Sequence, residues 1–362
     1  MRRRSASAKT KGHKPIIKNL ISIRFWNTRS ILTLPTASRG PKSPAHRQPQ
    51  RPTGQKADKM KPSRLIARAA AVAALLPHFG AHGQELWDPH LRGVNIGLAA
   101  GALPPEGLYG VLNNYWTSVD KFDHNGNKTG LKVDALIELP EVLWSTGIKI
   151  WGADYAVAIA QPIDYTTLKG NGIPSNGRWG AFNTILIPGQ LSWTLPENFH
   201  LKTGLAVYLP TGSSSPGRLP GGTFLGSANG FWSLQPSLAV SWLRASWNLT
   251  MDATYSYNFQ NTDTHYRSGP QLAIDYTAAK TIGKWTVGLG GYQENQLGDD
   301  SGSGAAACAQ TGGCRASNYG IGPLLGYQFG SLKLMGVYTY GFHTRSDVGG
   351  NSFNLRLSFP FQ

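Results

Sequence analysis

The chain has 362 residues and a formal charge of +16, a balance that points first to a nucleic-acid partner. The charge is not spread evenly. Residues 1–59 hold fifteen Lys or Arg against the single acid Asp58, residues 60–83 add Lys61, Arg64 and Arg68, and residues 84–362 hold seventeen basic and eighteen acidic side chains; the body of the chain is therefore near neutral, and the positive charge belongs to its front.

Residues 1–59 are rich in Arg, Ser and Pro without hydrophobic periodicity, which predicts a disordered basic extension. A nucleic-acid arm, an organelle presequence or a misassigned start upstream of Met60 are the alternatives. From Met60 a basic stretch to Arg68, an apolar run Ala69–Leu76, and the small pair Ala81 and Gly83 form the pattern of a secretory signal peptide, with a mature chain starting near Gln84. The run is too short to span a bilayer as a helix, and no window of 18 apolar residues occurs elsewhere. An exported chain of this kind is expected to be periplasmic, secreted or a membrane barrel.

Residues 84–362 read as a transmembrane antiparallel up-and-down β-barrel of about twelve strands. They are expected near 107–118, 129–143, 154–166, 179–195, 199–209, 229–243, 246–258, 266–280, 284–296, 318–329, 331–341 and 351–361. In the seventh, a step of two puts Trp247, Leu249, Met251, Ala253, Tyr255 and Tyr257 on one face and Asn248, Thr250, Asp252, Thr254, Ser256 and Asn258 on the other. The second alternates Leu131, Val133, Ala135, Ile137 and Leu139 against Lys132, Asp134 and Glu138.

The connections alternate in length. Pro196–Asn198, Leu243–Ala245, Ile282–Lys284 and Gly330–Ser331 are tight, whereas 119–128, 167–178, 210–228, 259–265, 297–317 and 342–350 are long and polar, as in barrels with short periplasmic turns and long outer loops. Phe353, Leu355, Leu357, Phe359 and Phe361 give the last strand an apolar face ending next to Gln362, similar to the signal read by barrel assembly machinery. A soluble β-sandwich is the competing architecture; it would have to hide many Trp and Tyr.

Several stretches carry a family resemblance: PPEGLYGVLNNYW from Pro104, DHNGNK from Asp123, YLPTG at Tyr208, NTDTHYRSG from Asn261 followed by IDY at Ile274, and GLGGYQ at Gly288. They resemble the Gram-negative outer-membrane family named for the meta pathway of phenol degradation, over about residue 90 to the end. The resemblance implies an outer-membrane transporter or diffusion channel for small hydrophobic or aromatic compounds, with membrane lipid, the assembly machinery and the substrate as partners and no nucleic acid. A structural barrel without transport is the alternative.

Transport needs a lumen path, and the polar strand faces offer Lys132, Asp134, Glu138, Lys202, Asp252, Asp275 and Arg356, whose mixed signs suggest ion pairs across the bore. In the loop from Asn261, Asp263, His265, Tyr266 and Arg267 are gate candidates; the bland reading is an Asp263–Arg267 salt bridge shaping the loop. Cys308 and Cys314 flank AQTGG and are the two cysteines of the chain. In an oxidising compartment they are expected to form a disulfide rather than a metal site, contributing about 2 to 3 kcal/mol by loop closure. Ser192 and His200, across one tight turn, raise a lipid-hydrolase reading, but nothing nearby supplies a third catalytic member. No HExxH, P-loop or dinucleotide motif is present, so no enzyme, cofactor or metal function is expected.

Overall fold

A computed structural model describes residues 88–170, 173–212, 228–306 and 314–361, with the side chains of 173–176 and 178 left aside. The basic extension, the signal segment and Cys308 lie outside the described residues. The strands are β1 Gly107–Phe122, β2 Lys128–Ile150, β3 Ala153–Ala160, β4 Ile163–Gly170, β5 Ile173–Ala181, β6 Ile185–Thr194 and β7 Phe199–Tyr208. The second half contributes β8 Ser233–Arg244, β9 Trp247–Asn258, β10 Gln271–Ile282, β11 Trp285–Gln296, β12 Ser317–Phe329, β13 Leu332–Arg345 and β14 Val348–Pro360.

All pairings are antiparallel, and the sheet closes because β1 pairs with both β2 and β14. Fourteen segments occupy twelve wall positions. The long β2 pairs with β3 through Glu141–Ile150 and with β4 through Lys132–Glu138, so β3 and β4 are one wall strand interrupted at Gln161 and Pro162. The pair β5 and β6 is likewise interrupted, between Ala181 and Ile185. Pro162 has no N–H to give the ladder. Backbone bonds from Gln161 to the Pro140 carbonyl (3.1 Å) and from Phe182 to the Pro162 carbonyl (2.9 Å) carry it across the break.

The turns follow strand twist. Trp151–Gly152 and Ala245–Ser246 have both residues at positive φ, the mirror-image geometry that suits a right-twisted hairpin. At the other end half of the expected loop 119–128, and all described residues of the expected loop 167–178, are strand. Their Lys, Thr and Gly residues reflect solvent outside the lipid, but cross-strand pairing continues there. A short turn closes β1 onto β2, where the Asp123 carboxylate accepts from the backbone N–H of Asn125 (2.9 Å) and Asn127 (2.8 Å).

The outer surface is apolar. On β9, Leu249 is 41% exposed and Thr250 only 7%, so the alternation expected from the sequence has its greasy side outward. Phe353 and Leu357 of β14 face out in the same way. Exposed aromatics gather near both ends: Trp151, Trp247, Trp285 and Phe329 by the tight turns, and Trp116, Trp179, Phe259 and Phe342 towards the loops, the arrangement of paired interfacial girdles. Trp285 packs edge-on to Tyr327 at 4.6 Å between ring centroids.

Candidate functional site

The segment before β1 fills the lumen. Asp88 to Glu106 has no two-residue alternation; it runs as successive turns, with Val94, Ile96, Leu98 and Ala102 donating to the carbonyls three residues back at 2.9 to 3.1 Å. Gly93 and Gly97 stand at φ +69 and +86, where a side chain would be strained. Ile96 is fully buried against Ala279, Leu324, Met335 and Val337 of the wall. Small wall and plug residues make the fit possible: a Cβ on Gly290 would lie 2.1 Å from Ile96 Cγ2, and one on Gly101 2.5 Å from the His200 carbonyl.

Lumen-facing polar groups grip the plug backbone. Asp275 accepts from the N–H of Gly93 (3.2 Å) and Asn95 (2.9 Å), Thr277 from Gly97 (2.8 Å) and Ser241 from Gly101 (2.8 Å). Arg356 donates to the carbonyls of Ile96 (2.9 Å) and Val94, and its Nε to Asn113 Oδ1 (2.8 Å). Otherwise buried backbone polar groups are thereby satisfied. Because these turns pair few of their own groups, wall side chains must supply the partners.

The charged anchor is Arg92. Its Nε donates to Glu294 Oε2 (2.6 Å), its Nη2 to Asp88 Oδ2 (2.5 Å) and Asp347 Oδ2 (2.6 Å), and its Nη1 to the Val348 carbonyl (2.6 Å). The three carboxylates lie within 4.8 Å of one another, a spacing open to a metal, but the guanidinium already engages all three. Nearby, burial and then the Arg92 charge push the plug residue His90 down to about 4. It is therefore neutral near pH 7, and its 4.0 Å approach to Asp275 is not an ion pair.

Between plug and wall lies a cavity of about 90 Å³, partly open to solvent. Leu91 and Val94 of the plug face Ile137, Leu139, Phe182, Ile185 and Tyr208 across it, and Pro162 places it beside the interrupted wall strands. Asp164, His90 and Tyr115 give it a polar margin.

The sequence-predicted lumen residues divide. Lys202, Asp252, Asp275 and Arg356 point inward, but no ion pair joins them among the described residues: Lys202 donates to Gln190 Oε1 (2.9 Å), while Asp275 and Arg356 hold the plug. Lys132, Asp134 and Glu138 are on the outer face, a correction to the expectation. On β2 the greasy face, Val133, Ala135, Ile137 and Leu139, turns in to meet plug and cavity, so the charged face turns out. Asp134 there accepts from Ser118 (2.6 Å) and pairs with Lys169.

Of the gate candidates, Asp263 is exposed and His265 takes positive φ, while Tyr266 is buried and donates to Asp300. Arg267 does not pair with Asp263 among the described residues. It donates to the Asn258 carbonyl (2.9 Å) and lies over the Tyr257 ring at 4.7 Å. Its backbone bridges to Ser301, which ties this loop to the next rather than leaving it free. Cys314 is disulfide-bonded. Ser192 and His200 are not brought together: the Ser192 hydroxyl donates to the Gly101 carbonyl (2.9 Å), and His200 is opposite Thr194.

The plug, Arg92 and its carboxylates escaped the strand reading. An apolar, Gly-rich stretch with no two-residue period but with Asp88, His90 and Arg92, placed directly before the first strand, was the signal available.

A family model described as "Putative MetA-pathway of phenol degradation" matches residues 119–357. No curated protein matches the chain. Among solved structures, the chain is similar to an outer membrane channel from Pseudomonas putida F1, with 15% identity and a TM-score of 0.61, over 72% of this chain and 97% of that one. It is also similar to the translocator domain of the autotransporter NalP from Neisseria meningitidis, with 12% identity, TM-score 0.46, and 83% and 95% coverage. A FadL homologue from Pseudomonas aeruginosa aligns at 11% identity and TM-score 0.33, over 78% and 98%. At such identities the first likeness carries the fold alone.

Proposed function

We propose that this chain, which belongs to the MetA-pathway phenol-degradation family, resides in the outer membrane and passes small hydrophobic or aromatic molecules through its lumen. The observation that carries the reading is the apolar cavity. An aqueous channel keeps a polar lumen, whereas here plug and β2 both turn aliphatic side chains inward around space a small ligand can occupy. The tight turns lie on the periplasmic side and the loops outside. The cavity's position beside Pro162, where wall strands are interrupted, suits entry or exit through the wall as well as along the bore. The likeness to an outer membrane channel from Pseudomonas putida F1 is consistent with this role.

Binding tests the reading. The purified barrel in lipid nanodiscs is expected to bind a radiolabelled monocyclic aromatic such as toluene, and not a sugar of similar size. Leu139→Arg places a guanidinium in the cavity and is expected to weaken binding at least tenfold, about 1.4 kcal/mol or more, with heat-modifiable gel mobility retained. A wild-type protein that binds no aromatic, or equal binding by both proteins, favours a structural barrel instead.

A further inference from the structure

The Arg92 cluster is one proton short. Arg92 gives each of three carboxylates one N–H contact, and the remaining oxygens of two are satisfied: Asp88 Oδ1 accepts from Gln271 Nε2 (2.6 Å) and Asp347 Oδ1 from the Val348 N–H (2.6 Å). Among the described residues Glu294 Oε1 has no partner, and neither has Gln271 Oε1, although both atoms are buried. The two residues sit on neighbouring strands of the lumen face, Glu294 opposite Ala273 and Gln271 opposite Gln296. Two acceptors thus lack a hydrogen. Turning the Gln271 amide over does not cure the deficit, because its oxygen would then face the Asp88 carboxylate.

The charge count agrees. Asp88, Glu294 and Asp347 bring three carboxylates to the single guanidinium of Arg92, and the nearby buried Lys121, whose Nζ is 3.4 Å from the Ser346 carbonyl, has Asp300 beside it as well. Net negative charge on buried carboxylates is costly.

We propose that the seated plug carries one bound proton on Glu294, at the oxygen that lacks a donor, and that leaving the lumen releases it. The inference goes beyond the transport reading and does not depend on it. Seating then takes up a proton, so the seated state is favoured at low pH and loses ground as pH rises, by up to about tenfold per pH unit until the seated Glu294 itself ionises. Burial and the Asp347 charge raise Asp88 on the plug, which acts in the same direction.

The other groups facing the cluster are the same in wild type and Glu294→Gln, so the comparison of the two isolates Glu294. His90 acts in the opposite sense, because seating expels its proton, but only below its ordinary value near 6.5. Tyr115 and Tyr292 stay phenols between about pH 7 and 9. Asp275 keeps its two backbone donors, and Asp300 accepts from the Gly269 N–H (2.8 Å) and Gln296 Nε2 (2.7 Å).

Glu294→Gln separates the proton from structure, because its amide keeps the length of the side chain, can still accept from Arg92 and carries no titratable proton. Single-channel recordings of the full barrel between about pH 7 and 9 are expected to show wild-type open probability rising with pH, and a clearly shallower rise for Glu294→Gln. Infrared spectra near pH 7 are expected to show a protonated carboxylic acid band that Glu294→Gln weakens. A flat wild-type profile, an unchanged slope in Glu294→Gln, or a wild-type spectrum without that band overturns the proposal. Should Glu294→Gln fail to insert, the wild-type slope and band together decide it.

Discussion

Arg92→Ala is expected to unseat the plug and raise single-channel conductance while the barrel keeps its heat-modifiable mobility. The substitution leaves Asp88, Glu294 and Asp347 facing one another without the guanidinium that bonds all three. Removing one partner of a buried ion pair costs about 3 to 5 kcal/mol because charge is left uncompensated. Here the protein can escape that cost by letting the plug leave, since Asp88 departs with it. The wall needs no such rescue, because its ladder closes through β1, β2 and β14 without the plug. Conductance unchanged from wild type would mean that the bonds from Asp275, Thr277, Ser241 and Arg356 seat the plug without Arg92.

Leu249→Arg is expected to impair membrane insertion far more than Thr250→Arg. Leu249 faces out on β9, so a guanidinium there meets lipid at a cost of about 2 to 4 kcal/mol near mid-bilayer. Thr250 faces in, its hydroxyl bonded to Asn248 (2.6 Å), and an arginine there meets the plug and the polar lumen. The yield of the heat-modifiable folded form in outer-membrane fractions reads the difference; equal yields would contradict the strand register.

That register was readable where lipid lies outside a polar lumen wall. On β9 and β14 apolar and polar residues alternate with a period of two, and the apolar set does face out. The same rule failed on β2, because Val133, Ala135, Ile137 and Leu139 have an apolar partner inside the barrel. Periodicity marks which residues share a face but not which side of the wall that face meets. The plug was invisible to the same method: Asp88–Glu106 pairs with side chains distant in sequence, such as Asp275, Glu294 and Arg356, and those pairings leave no local period. Asp275 and Arg356 were recognised as lumen residues from strand position alone. Their role, holding backbone N–H and carbonyl groups of one particular segment, depends on what fills the bore.

Uptake by intact cells tests the central claim most directly. A Gram-negative strain lacking the protein is given back either the wild-type chain or Leu139→Arg, and the initial rate of radiolabelled monocyclic aromatic uptake is measured with both proteins at equal outer-membrane abundance. The account predicts that the wild-type chain restores fast uptake and that Leu139→Arg leaves the rate near that of the deletion strain. Uptake as fast in the deletion strain as with the wild-type chain would contradict it.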